Sequence, residues 1–96
     1  GGLQLNLLEH RVVVEGREVK LTPTEYELLK VMLKYAGRVL THKQLLKAVW
    51  GNEYDTDTHY IRIYMRQLRR KIEPDPAQPK YLITEAGIGY RLLGGE

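Results

Sequence analysis

Two four-residue runs, Thr22-Pro23-Thr24-Glu25 and Thr41-His42-Lys43-Gln44, fix where two helices begin. In each, the first threonine hydroxyl can accept the amide three residues on, while the glutamate or glutamine there reaches back. Two amides that a helix start leaves bare are thereby satisfied. Pro23 at the first helical position adds a preset φ. Leu28, Leu29, Met32, Leu33 and Ala36 then recur at spacings of three and four, and Gly37 reads as a left-handed stop. The second run leads into Leu45, Leu46, Val49 and Trp50 and stops at Gly51. A third helix ends near Ile72, before Pro74 and Pro76, with Asp55, Thr56 or Asp57 as its candidate cap.

Strands flank the helices. Leu3, Leu5 and Leu7, then Val12 and Val14, then Val19 and Leu21 alternate with polar residues around a turn at Glu15-Gly16-Arg17, which predicts an antiparallel β-meander with one buried face. Val39 and Leu40 have room for only a very short strand. "YLITEAGIGYRLL" holds two β-rich runs around Glu85 to Gly89, a C-terminal hairpin. At 96 residues and 43% hydrophobic content the chain can build one core and not two, so residues 1–96 are expected to form a single α+β domain. The absence of cysteine removes disulfides, thiolate zinc sites and cysteine nucleophiles, and fits a reducing cytosol. No apolar run is long enough for a membrane span or a signal peptide, so a soluble, cytoplasmic domain is expected. Gly1-Gly2 in place of an initiating methionine reads as a piece of a longer chain.

A formal net charge of +3 says little about partners, but its placement says more. Acids and bases nearly cancel up to Thr41, acids exceed bases from Glu73 onward, and Thr58 to Lys71 carries only positive charge. In "HYIRIYMRQLRRKI", Ile61, Met65, Leu68 and Ile72 fall on one helical stripe, the core side. Arg62, Arg66 and Arg69 fall within roughly 60° of each other, with His59 and Arg70 beside them, about 120° round from that stripe. A solvated face usually mixes signs, whereas here Arg62–Arg66 and Arg66–Arg70 repel at i,i+4. Such a helix either tolerates the repulsion in water or meets an anion, and guanidinium forks suit both phosphates and guanine edges. Two capped helices, a basic third and a glycine-bearing hairpin describe a winged helix-turn-helix. The connection from Gly51 to Thr56 is longer than a simple helix-turn-helix needs.

"LTPTEYELLKVML", "GRVLTHKQLLKAVWG", "YIRIYMRQLRRKIE" and "ITEAGIGYR", in this order over essentially the whole chain, resemble the winged-helix effector domain of OmpR/PhoB-type response regulators. Within that family, "HYIRIYM", "DPAQPKYLIT" and "ITEAGIGYR" look most like regulators of a high-affinity potassium-transport operon. The resemblance implies a third helix in the major groove of duplex DNA and a wing on the adjacent backbone or minor groove. It also implies head-to-tail pairing of two copies on direct repeats, and a receiver domain, absent from this chain, on which a sensor histidine kinase acts. Arg62 and Arg66 would face base edges, with His59 and Tyr60 near the leading end of the helix. Arg69 and Arg70 would reach phosphates, the alternative for Arg70 being an intramolecular pair with Glu73. Thr41, His42 and Lys43 at the start of the second helix form a candidate phosphate site or a simple cap. Trp50 reads as core by its spacing from Leu46, and the family often places this tryptophan near a phosphate. In the wing, Thr84, Gly87 and Tyr90 are candidate phosphate contacts, while Ala86 stands where many relatives carry an arginine for the minor groove. Asn52, Glu53, Tyr54 and Asp55 correspond to the loop through which family activators touch RNA polymerase, or form a mere linker.

An enzyme is disfavoured. His10, His42 and His59 lie far apart, no metalloprotease or nucleophile motif occurs, and Gly87-Ile88-Gly89 lacks the strand-to-helix setting of a dinucleotide loop. No cofactor or metal is implied. The competing reading is a winged helix acting through protein contacts or RNA, for which the sequence offers no aromatic platform for stacking bases.

Overall fold

The structure, a computed structural model, describes residues 2–6, 8–51 and 58–93. Strands β1 (Leu3–Asn6), β2 (Arg11–Val14) and β3 (Arg17–Val19) form an antiparallel sheet in that order, the expected meander. Val14 pairs with Arg17, so the loop between them is Glu15-Gly16 alone, and both residues take positive φ, 49° and 81°. That is the type I′ turn whose twist matches a two-residue hairpin. Leu3, Val12, Val14 and Val19 point into the core.

Helix α1 (Pro23–Lys34) opens on the expected capping box: Glu25 donates its amide to Thr22 Oγ1 at 3.2 Å, and its carboxylate accepts the Thr22 amide at 2.9 Å. The far end departs from expectation. The helix stops at Lys34 with Tyr35 as its C-cap, and Ala36 lies exposed outside it. Gly37, at φ 85°, serves the following turn, where its amide donates to the Leu92 carbonyl and delivers the chain into strand β4 (Val39–Thr41). Tertiary pairing ends the helix before its apolar period does. Helix α2 (His42–Trp50) begins on the second capping box and ends at Gly51, φ 85°. Helix α3 (Thr58–Ile72) follows; its candidate caps Asp55, Thr56 and Asp57 lie outside the described residues.

The last strands, β5 (Leu82–Glu85) and β6 (Gly89–Leu92), make the expected hairpin, and β4 joins it in a second sheet of order β4-β6-β5. The short strand therefore anchors the wing to the start of α2. Gly89 sits where these strands cross: a Cβ there would lie 1.9 Å from the Leu40 carbonyl oxygen, so only glycine allows the approach. The predicted stripe Ile61, Met65, Leu68 and Ile72 is fully buried and packs in one cluster with Leu28, Leu29, Met32, Leu45, Leu82 and Leu92.

Three ion-bearing contacts lock the elements together. Glu25, only 1% exposed, receives Lys71 Nζ at 2.6 Å, tying the start of α1 to the end of α3. Glu73 makes no pair with Arg70; at 4% exposure it accepts the amides of Lys80, Tyr81 and Leu82 at 2.8 to 3.0 Å and so sets the entry into β5. Three converging amides hold a carboxylate in fixed geometry, which an exposed guanidinium, screened by water, cannot match. Glu15 accepts from the Tyr81 hydroxyl at 2.9 Å and from Lys80 Nζ at 3.1 Å. The lysine and then the tyrosine hold the Glu15 carboxyl below its ordinary pKa, and burial, with Glu15 second, raises the Tyr81 phenol. Among the described residues no helix is long and apolar enough to cross a membrane.

Candidate nucleic-acid interface

Of the five cations on α3, two are committed inside the molecule. Lys71 belongs to Glu25. Arg69 donates from Nε and Nη2 to the Leu82 carbonyl, at 3.1 and 2.9 Å, and from Nη2 to Thr84 Oγ1 at 2.6 Å. Its planar fork thus bolts the helix to the first strand of the wing, with the guanidinium 5.9 Å from the Tyr90 ring. Arg62, Arg66 and Arg70 are exposed and make no ion pair among the described residues.

These three guanidiniums border a concave surface of about 600 Å³ shared with His42, Arg69, Thr84, Gly87 and Tyr90. Tyr90 forms its floor, with the His42 ring edge-on at 5.4 Å. Burial raises the pKa of the Tyr90 phenol, and the positive charges of Arg69 and Arg62 partly oppose that shift. At one rim, the capping box uses the Gln44 amide, at 3.0 Å from Thr41 Oγ1, and leaves those of His42 and Lys43 at the open end of α2, where the helix dipole is positive. At the other rim the wing turns at Ala86 and Gly87, closed by the Ile88 amide on the Glu85 carbonyl. Gly87 has φ 75° and open space around it, a position where a side chain would be strained by the backbone and not by its neighbours. Glu85, the acid nearest this rim, pairs with Arg91 at 2.8 Å. The trough is therefore predominantly basic, its one lining acid, Glu85, already answered by Arg91, with amide donors at the α2 edge, chemistry suited to a ridge of phosphates.

Eight of the residues singled out in the sequence thus meet on one surface: His42, Arg62, Arg66, Arg69, Arg70, Thr84, Gly87 and Tyr90. His59 and Tyr60 lie outside its lining, exposed on the first turn of α3; Tyr60 is 49% exposed. Trp50 stands apart, half-buried with its ring 5.4 Å from that of Tyr64, in keeping with a core role. Asn52, Glu53, Tyr54 and Asp55 lie outside the described residues. Ile63 was not among the sequence candidates, yet it is 40% exposed at the edge of the arginine face, outside the trough's lining. Helical spacing alone placed it there. Among the described residues no group of three or more His, Asp or Glu could hold a metal ion.

Fold and surface together define a winged helix whose third helix and wing enclose a basic trough. The family model described as "Transcriptional regulatory protein, C terminal" matches residues 16–92. The chain is 54% identical over 87 residues to the KDP operon transcriptional regulatory protein KdpE of Escherichia coli K12, covering 90% of this chain and 39% of that protein. It superposes on the response regulator DrrB of Thermotoga maritima, an OmpR/PhoB homologue, with a TM-score of 0.88 at 30% identity, over 98% of this chain and 42% of that one. It also matches the DNA-binding domain of the response regulator AdeR, solved in complex with an intercistronic region, with a TM-score of 0.81 at 25% identity, over 96% and 94% of the two chains. This chain belongs to the OmpR/PhoB family of response-regulator DNA-binding domains. It spans about two fifths of the length of the KdpE protein it matches.

Proposed function

We propose that this domain binds duplex DNA sequence-specifically, with α3 in the major groove and the β5–β6 wing on the neighbouring backbone, and thereby regulates transcription. The observation that carries the proposal is the segregation of charge on α3: Arg69 and Lys71 are held by protein acceptors, while Arg62, Arg66 and Arg70 line the trough and make no ion pair among the described residues. Arg62 and Arg66 read bases; Arg70, the His42 and Lys43 amides and the wing at Thr84 and Gly87 meet phosphates. With Ala86 at the wing tip, the wing supplies no arginine to the minor groove. The likeness to KdpE extends the proposal to control of a potassium-transport operon. Tandem binding of two copies, contact with RNA polymerase through residues 52–55 and control by a histidine kinase through a receiver domain belong to the same reading.

Fluorescence anisotropy with a random duplex and a KDP-operon promoter duplex, over a salt series, tests it. About six phosphate contacts give a log–log salt slope near −5. Arg62→Ala is expected to weaken promoter binding by about 1–3 kcal/mol, the worth of one bidentate guanine contact, while binding to random duplex changes far less. A flat salt response, or equal losses on both duplexes, refutes respectively DNA binding and the role of Arg62.

A further inference from the structure

The α3 face carries one feature that phosphate and guanine recognition do not use. Ile63 lies roughly 170° round the helix from the centre of the buried stripe. It projects outward, 40% exposed, flanked by the exposed side chains of Arg62, Arg66 and Gln67. A lone exposed isoleucine on an arbitrary surface would be ordinary. This one occupies the centre line of the face that points away from the core, among His59, Arg66, Gln67 and Arg70 and beside the exposed ring of Tyr60. Its Cβ branching restricts χ1, so the γ-methyl and δ-carbon are presented in a fixed direction and not as a mobile stem.

In the major groove the thymine C5-methyl is the one aliphatic group on a base edge, and the other bases present chiefly donors and acceptors there. An aliphatic side chain on the outermost line of α3, beside Arg66 and Arg70, therefore has one complementary partner there. We propose that Ile63 is a specificity-determining residue that packs against a thymine C5-methyl, next to the base pairs read by Arg62 and Arg66. The assignment rests on the proposed docking of α3 in the major groove. It makes the recognised site mixed in character, a guanine contact adjoining a thymine selected by its methyl group alone.

The test uses a duplex selected by the wild-type domain from a random-sequence pool, in which each thymine is replaced singly by deoxyuridine. Pairing and hydrogen-bonding edges persist, and only the methyl is removed. Wild-type protein is expected to lose about three- to fivefold in affinity at one thymine, the factor that burying a single methyl carries. Ile63→Ala should bind the unmodified duplex more weakly by a similar or larger factor and be indifferent to uracil at that thymine, while responding normally elsewhere. Ala is a better helix former than Ile and the site is exposed, so the melting temperature of the variant should not fall. If uracil scanning gives the same profile for both proteins, Ile63 reads no methyl, although DNA binding itself stands. If no duplex is selected and binding is insensitive to salt, the proposed function fails and this inference with it.

Discussion

On the sheet β1–β3, Arg11 reaches Glu18 at 2.6 Å and Glu9 at 3.2 Å, whereas Arg62, Arg66 and Arg70 on α3 reach no acid among the described residues. Both surfaces are solvent-facing and both carry arginine. On the sheet, the Glu18 hydrogen bond first and Glu9 after it raise the Arg11 pKa; the charge is answered where it stands. On α3 the fold removes the cations it can pair, Lys71 to Glu25 and Arg69 to the wing, and leaves like charges next to one another. The number of arginines on a surface is uninformative until the counter-charge of each is located. An arginine with its acid beside it has finished its interactions, and one without still has a partner to meet.

The comparison predicts that internally answered charges govern stability and leave salt dependence alone. Glu73 is the sharpest case. Glu73→Ala strips three converging amides of their acceptor in a buried turn, where leaving such donors unsatisfied costs about 3 kcal/mol in total. For a domain of this size the melting temperature should fall by about 12 to 24 °C, measured by circular dichroism. In anisotropy below that transition, the salt slope on random duplex should stay near the wild-type value. A slope that moved would place a buried carboxylate in the binding electrostatics and break the division between the two kinds of charge.

Arg69 straddles that division. Its fork spans α3 and β5, yet it lines the trough. Arg69→Ala should cost about 2 kcal/mol of stability, in the range of charge-assisted bonds to a carbonyl, and should weaken random and promoter duplexes alike because the wing loses its anchor. Arg69→Lys keeps the charge but cannot form the fork, so it should retain the salt slope while recovering little of the stability. Full recovery by lysine would mean that Arg69 acts by charge alone and belongs with Arg62, Arg66 and Arg70.

Much of this was legible in the sequence because it is local. The Thr22 and Thr41 boxes and the Ile61–Ile72 stripe each follow from spacing within a few residues and formed as read, and the turn read at Glu15-Gly16-Arg17 formed on Glu15-Gly16, with Arg17 already in β3. The charge asymmetry of α3 was equally visible. What failed was long-range. Gly37 was read as the stop of α1, but the helix ends at Lys34 because Gly37 must reach Leu92 across the second sheet. The alternative that paired Arg70 with Glu73 falls away, because Glu73 is bound by backbone amides from beyond the proline loop. Arg69 could not be told from Arg66 on a helical wheel, since its partners lie 13 and 15 residues on, in a strand whose position the wheel does not know. Periodicity assigns a face, and only the tertiary fold decides which members of that face are already satisfied.

The smallest expected effect is also the control for the whole comparison. Arg11 is about half exposed, as are Glu9 and Glu18, and its ion pairs are screened by water and salt. Arg11→Ala should shift the melting temperature by no more than about 2 °C and leave duplex binding and its salt slope unchanged. Removing Arg62 deletes the same charge from the same kind of exposed position, so net charge falls equally in the two variants. If binding tracked the overall charge of the molecule, the two substitutions would weaken promoter duplex to the same extent. A clear gap between them, with Arg11→Ala at the wild-type affinity and Arg62→Ala below it on promoter DNA, assigns the effect to where the charge stands and to the acid it lacks.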